Sequence, residues 1–125
     1  MQVNRYNYAM QFGAALPSLL EDIQQMLMDG QYILTEEVSK FEREFGDYLG
    51  VEHVCGVNTG TDALIIALLA LGVGPGDAVV TQANTFHATV AAICFVGATP
   101  VLVDVNDKTF LMDDTQLEAA ITPRT

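Results

Sequence analysis

Two short stretches carry the residues best suited to hold a ligand. The first is Val57-Asn58-Thr59-Gly60-Thr61-Asp62-Ala63-Leu64, a hydroxyl-bearing turn set between a short β-like run and a long apolar one. If a helix begins at that turn, its first N–H groups have no intrahelical partner and form a ready anion site. Gly60 would let a ligand approach the backbone closely, and Thr61 would add a hydroxyl. The carboxylate of Asp62 would repel a phosphate, so the expectation is that it turns away and only the Asp62 backbone N–H contributes. A purely structural reading stands beside this one: Thr59 caps the helix and Gly60 eases the turn.

The second stretch, QANTFHAT (residues 82–89), places Phe86 just after another β-like run. An aromatic there can stack on a planar heterocycle, or it can pack as an ordinary helix-start core residue. His87 beside it reads as a surface or capping residue, because no partner carboxylate lies at short spacing. A phosphate cup next to a ring platform suggests a phosphorylated aromatic cofactor. The chain has neither the G-x-G-x-x-G of a dinucleotide site nor the G-K-[ST] of a P-loop.

These stretches need elements to position them. Leu16, Leu19, Leu20, Ile23 and Leu27 recur at helical spacing, with Pro17 near the start. A second amphipathic helix follows Thr35 and ends at Gly50. Val38, Phe41, Phe45, Tyr48 and Leu49 line one face as expected core, and Glu36, Lys40 and Glu44 form i,i+4 charge pairs on the other. From His53 the pattern changes to short apolar runs alternating with helical segments, as in βαβ units around a parallel sheet. Strand-like HVCGV (53–57), AVVTQ (78–82) and PVLVDV (100–105) alternate with helices expected over about 62–71, 86–96 and 115–121, and Asp113 and Gln116 have capping-box spacing at the last. In such a sheet the strand carboxyl ends share one edge, where ligands collect. Residues 58–61, 83–86 and 104–107 would meet there. The expected division is a helical segment over 1–52 and the βαβ units over 53–125.

Composition narrows the partners. Sixteen acidic against five basic residues give a formal charge of -11, which works against binding nucleic acid or an anionic membrane surface. The opening MQVNRYNYAMQF has no continuous apolar core of the signal-peptide kind. The longest apolar run, Ala63 to Leu71, falls far short of the ~20 residues a spanning helix needs. A soluble cytoplasmic protein is the expectation. Cys55 and Cys94 lie in apolar surroundings without metal-ligand spacing, so both are expected as buried thiols and no metal site is expected.

The run from about Asp29 onward resembles the amino-terminal part of the DegT/StrS family of sugar aminotransferases. The motifs appear in family order: FE-x-x-F-x-x-YLG, GTDAL, the GPGD turn, NTF-x-AT, and GA-x-PV-x-VDV. Thr35 departs from the Gly common in that family after Tyr-Ile-Leu. The resemblance implies an α/β fold, namely a partial parallel sheet with helical crossovers from the large domain of an aspartate-aminotransferase-like fold, preceded by two amphipathic helices and truncated at its carboxyl end. It implies pyridoxal 5′-phosphate as cofactor, with Thr61 and Asp62 at the phosphate, Gly60 permitting close approach, and Phe86 on the pyridine ring. It also implies an amino-acid donor, glutamate by family habit, a nucleotide-linked keto sugar as acceptor, and a homodimer with its active site between subunits.

No catalytic residue is expected within this chain. Amino transfer needs a lysine that bonds to the cofactor and an acid that keeps the pyridine nitrogen protonated. In the family both come later in sequence. Lys40 lies among Glu36, Glu37, Glu42 and Glu44 on a polar helix face, and Lys108 lies in a polar turn, so neither reads as a desolvated amine. Two alternatives stay open. One is the dehydratase branch of the family, in which histidine replaces that lysine, and the other is a noncatalytic module that binds phosphorylated ligands or pairs with another subunit.

Overall fold

A computed structural model describes residues 5–125; Met1 to Asn4, part of the opening stretch read above for a leader, lie outside the described residues. The chain divides after Gly56 into two compact units.

The first unit is helical. Helix α1 (Tyr8–Phe12) is capped by the Asn7 side chain, whose oxygen accepts from the Met10 N–H at 3.1 Å, and a single 3₁₀ turn, Gly13–Ala15, leads into α2 (Leu16–Met28). Pro17 sits in the first turn of α2, where its missing N–H costs no intrahelical bond. Helix α3 (Glu36–Leu49) starts with two glutamates that suit the positive end of its dipole, and it ends on Gly50 at φ 69. Two expectations for α3 change. The ion pair formed is Arg43 to Glu36 at 3.3 Å, not a Glu36–Lys40–Glu44 ladder, and both partners are exposed, so it adds little stability. Phe41, Phe45 and Tyr48 stack in series, with centroids 5.5 and 6.2 Å apart, yet all three remain exposed. Their helical spacing aligned them on one face, but no element among the described residues of this unit covers it.

The second unit holds α4 (Gly60–Ala70), β1 (Ala78–Gln82), α5 (His87–Phe95), β2 (Thr99–Val103) and α6 (Asp114–Ala120). Strands β1 and β2 are parallel, in register from Ala78 with Thr99 to Gln82 with Val103. The ladder is closed at its ends by Thr99 N–H to Asp77 O at 2.9 Å and Ala83 N–H to Val103 O at 2.8 Å. Alternation along β2 then turns the backbone groups of Pro100 away from β1, so its missing N–H falls on the outer edge of the sheet. Residues 53–57, expected as a strand, join no ladder among the described residues. A β-like sequence becomes a strand only when a neighbour accepts its hydrogen bonds.

Helix ends build the core of this unit. Helix α5 closes with the Gly97 N–H on Cys94 O and the Ala98 N–H on Ile93 O, while α4 closes with the Gly72 N–H on Leu69 O and the Val73 N–H on Leu68 O. Both are Schellman closures, and Gly72 and Gly97, at φ 76 and 81, supply the left-handed residue each needs. Each closure brings the residue after its glycine back against the last helical turn. Ile93, Val96 and Ala98 accordingly form the buried cluster, with Ile65, Leu68, Val73 and Val79 packed against it. A side chain at Gly97 would also meet Pro75 Cγ at 2.9 Å.

At the start of α6, Asp113 accepts from the Thr115 N–H and hydroxyl and from the Gln116 amide. Those bonds, Thr115 first and Gln116 second, hold its carboxyl below the ordinary range. The expected burial of the cysteines does not hold, because Cys55 and Cys94 are both exposed free thiols. Cys94 follows Ile93 on α5 and falls on the outward face with Phe95, while Cys55 belongs to the unpaired stretch 53–57.

Candidate functional site

Both ligand-type stretches open a helix. Helices α4 and α5 pack against each other and each runs back toward the start of the strand that follows it. Because β1 and β2 are parallel and α5 connects them, the amino end of α5 faces the edge where β1 finishes. Gly60, Thr61 and Asp62 thus lie at the head of α4 and Phe86 at the head of α5, two helices packed against each other.

At α4, Thr59 is the N-cap: its Oγ1 accepts from the Asp62 N–H at 3.0 Å and donates to Asp62 Oδ2, also at 3.0 Å. The capping role weighed for Thr59 is therefore present. It also takes up the Asp62 N–H, which had been expected to face a ligand, and it ties the Asp62 carboxylate back to the cap. What stays free among the described residues is the N–H of Gly60, the N–H of Thr61 and the Thr61 hydroxyl. A Cβ built on Gly60 would meet nothing within 4 Å, so the approach to its N–H is open. Two backbone donors and a hydroxyl at the positive end of a helix fit a phosphate.

At α5, Phe86 occupies the N-cap position in extended conformation and is 70% exposed, so the helix-start core reading does not describe it. Its ring lies against His87, centroids 4.0 Å apart and planes at 51°. His87 is itself exposed, as expected for a surface residue. An uncovered aromatic face at this edge suits a planar ring. The third loop offers less: Asn106 Oδ1 accepts from the Lys108 and Thr109 N–H groups, and Asp104 Oδ1 accepts from the Val105 N–H, so these polar groups serve the turn itself.

Sequence reasoning passed over one feature, the 2.9 Å hydrogen bond from Thr85 Oγ1 to Thr89 Oγ1, which spans Phe86. The i,i+4 threonine spacing was its only signal. Among the described residues no group of His, Cys, Asp and Glu could hold a metal ion. Nor is any described helix long and apolar enough to cross a membrane.

Comparison with known proteins adds the following. A family model described as the DegT/DnrJ/EryC1/StrS aminotransferase family matches residues 17–125. A dTDP-3-amino-3,4,6-trideoxy-alpha-D-glucose transaminase of Micromonospora megalomicea subsp. nigra is 42% identical over 120 residues, which make up 96% of this chain and 32% of that protein. Among solved structures, a DegT DnrJ EryC1 StrS aminotransferase from Brucella abortus superposes with a TM-score of 0.87 at 42% identity, covering 96% of this chain and 32% of the other. NtdA from Bacillus subtilis with bound cofactor PMP gives a TM-score of 0.85 at 32% identity, covering 100% and 30%. The chain spans about a third of the length of the relatives it matches.

Proposed function

The chain belongs to the DegT/DnrJ/EryC1/StrS aminotransferase family, and from that premise we propose that it supplies the cofactor-phosphate and ring-stacking parts of a pyridoxal-phosphate site. In that site an amino group passes from an amino acid, glutamate, to a keto group on a nucleotide-linked sugar. The observation that carries this reading is the free donor set at the head of α4, with the exposed Phe86 at the head of α5, the helix packed against it. Bound there, the cofactor supplies an electron sink for the amino-bearing carbon. The Gly60 and Thr61 N–H groups and the Thr61 hydroxyl bind the phosphate. Thr59 holds the Asp62 carboxylate at the cap, which limits its repulsion of that phosphate. Phe86 stacks on the ring and keeps water from one of its faces. The lysine and the acid that complete the chemistry lie outside these 125 residues. Two free, exposed thiols suit a reducing, cytoplasmic setting.

Three substitutions, each followed by titrating pyridoxal 5′-phosphate into the full-length protein, test this assignment. Thr61→Ala removes one donor to a charged group and is expected to weaken binding by about 1 to 3 kcal/mol. Phe86→Ala acts on the ring and is expected to cost about 1 kcal/mol or more, with a change in cofactor absorbance. Thr59→Ala is expected to lower stability by ~1 kcal/mol through loss of the cap. Unaltered cofactor affinity in both Thr61→Ala and Phe86→Ala would reject the site.

The protein is further proposed to work as a homodimer. Leu64, Ile66 and Leu69 on α4 are 40%, 52% and 55% exposed, and apolar surface of this kind favours burial against a partner. Sedimentation of the protein at high concentration is expected to show a dimer. A single monomeric species would count against the pairing.

A further inference from the structure

Phe86 is mostly exposed, so packing alone does not fix its ring, and an exposed side chain of this type exchanges among rotamers unless its backbone and neighbours restrict it. Its position is nevertheless bracketed. The Thr85 N–H donates to Gln82 O at 3.3 Å, the Thr89 N–H donates to Phe86 O at 3.0 Å, and the Thr85 hydroxyl donates to the Thr89 hydroxyl at 2.9 Å. The hydroxyl bridge joins the end of the β1 loop to the first turn of α5 and passes around the residue that carries the ring. It is partly buried, so water competes with it less than at an open surface. Both residues are β-branched and restricted at χ1, and the bridge holds Thr89 to one of the two rotamers a helical threonine favours. The His87 ring lies against that of Phe86, centroids 4.0 Å apart, while Phe86 stays 70% exposed.

We infer that Thr85 and Thr89 are positioning residues: their hydroxyl bridge, with His87 against the ring, presents Phe86 in one orientation. This inference rests on the reading that Phe86 stacks on the cofactor ring, and its test separates the two. Valine matches threonine in shape and lacks the hydroxyl, so Thr85→Val and Thr89→Val each break the bridge, while Thr85→Ser and Thr89→Ser keep a hydroxyl. In protein labelled at the phenylalanine rings and free of cofactor, the Phe86 signal is identified by its loss in Phe86→Leu. Each valine variant, and the double variant no further than either single one, is expected to shift that signal toward the position of unrestrained phenylalanine, as contact with the His87 ring is lost. The serine variants are expected to keep the wild-type position. A Phe86 signal unmoved in both valine variants overturns the inference, as does a serine variant shifted as far as its valine counterpart. In the same samples, the dissociation constant for pyridoxal 5′-phosphate is expected to rise about fivefold in the valine variants, the scale of one net hydrogen bond. Competition by inorganic phosphate should stay unchanged, because the head of α4 is untouched. If the ring signal follows the bridge while Phe86→Ala leaves cofactor affinity intact, the stacking reading fails and the bridge stands as the device that orients Phe86.

Discussion

Given pyridoxal 5′-phosphate, an amino-acid donor and a keto sugar, this 125-residue chain should show no turnover, and borohydride should fix no cofactor on a defined lysine. The proposed site gives the ground for this: its groups bind a phosphate and face a ring, and none is placed to exchange a proton with the reacting carbon. The chain has two lysines, Lys40 and Lys108. Both are exposed, Lys40 beside Asp22, Asp29 and Glu37 in the helical unit and Lys108 in the turn organised by Asn106. A lysine that forms a Schiff base in an enzyme is held desolvated or beside another cation. Neither has such surroundings. Mass spectrometry after reduction is expected to find only scattered surface labelling, and turnover accompanied by label on Lys40 or Lys108 would sink the assignment of the chemistry to residues outside this chain.

Ile93→Ala is expected to be the most damaging single change to the second unit, at about 3 kcal/mol. Ile93 is 1% exposed and is the largest fully buried side chain among the described residues. It fills the space among Val96, Ala98, Ile65, Leu68, Val73 and Val79, where two helix closures and β1 converge. A domain of this size has only of order 3 to 10 kcal/mol in hand, so the loss should lower the thermal midpoint by roughly 10 to 25 °C or unfold the unit outright. Leu111→Ala, at a side chain 67% exposed, serves as the control and should move the midpoint far less. Equal shifts for the two variants would show that the core is elsewhere.

Much of this was legible in the sequence because it is local. Strand β1 coincides with AVVTQ, and α2 and α3 begin where Pro17 and Thr35 put them. Asp113 caps α6, but through the Thr115 N–H, and Gln116 donates to its carboxylate in place of the reciprocal capping-box bond, the Asp113 N–H going to Asp104 O. Hydrophobic period, caps and turn glycines are written within a few residues of the element they define. What failed depends on distant partners. HVCGV has the composition of a strand but no neighbour to pair with, and burial of Cys55, Cys94 and the Phe41–Tyr48 face requires covering elements that a helical or alternating pattern cannot name. The site behaved the same way. The two helix-opening turns of the proposed site were legible as such, whereas the sharing of the Asp62 N–H with Thr59, and the hydroxyl bridge around Phe86, depend on rotamers that sequence spacing leaves open.

Pro100 bears on how the molecule behaves in a crowded solution. A two-stranded sheet has two rims, and a rim of unpaired amides and carbonyls templates the stacking of one chain on the next into fibrils. The outer rim of β2 has Pro100 near its start, so an incoming strand meets a gap in the donor row and a ring standing in its path. On the other rim, the first donor of β1, the Ala78 N–H, is already bonded to Arg124 O at 2.8 Å. One rim thus has a gap in its donor row and the other has its first donor taken by Arg124, and both features work against cross-β pairing of these two strands with another chain.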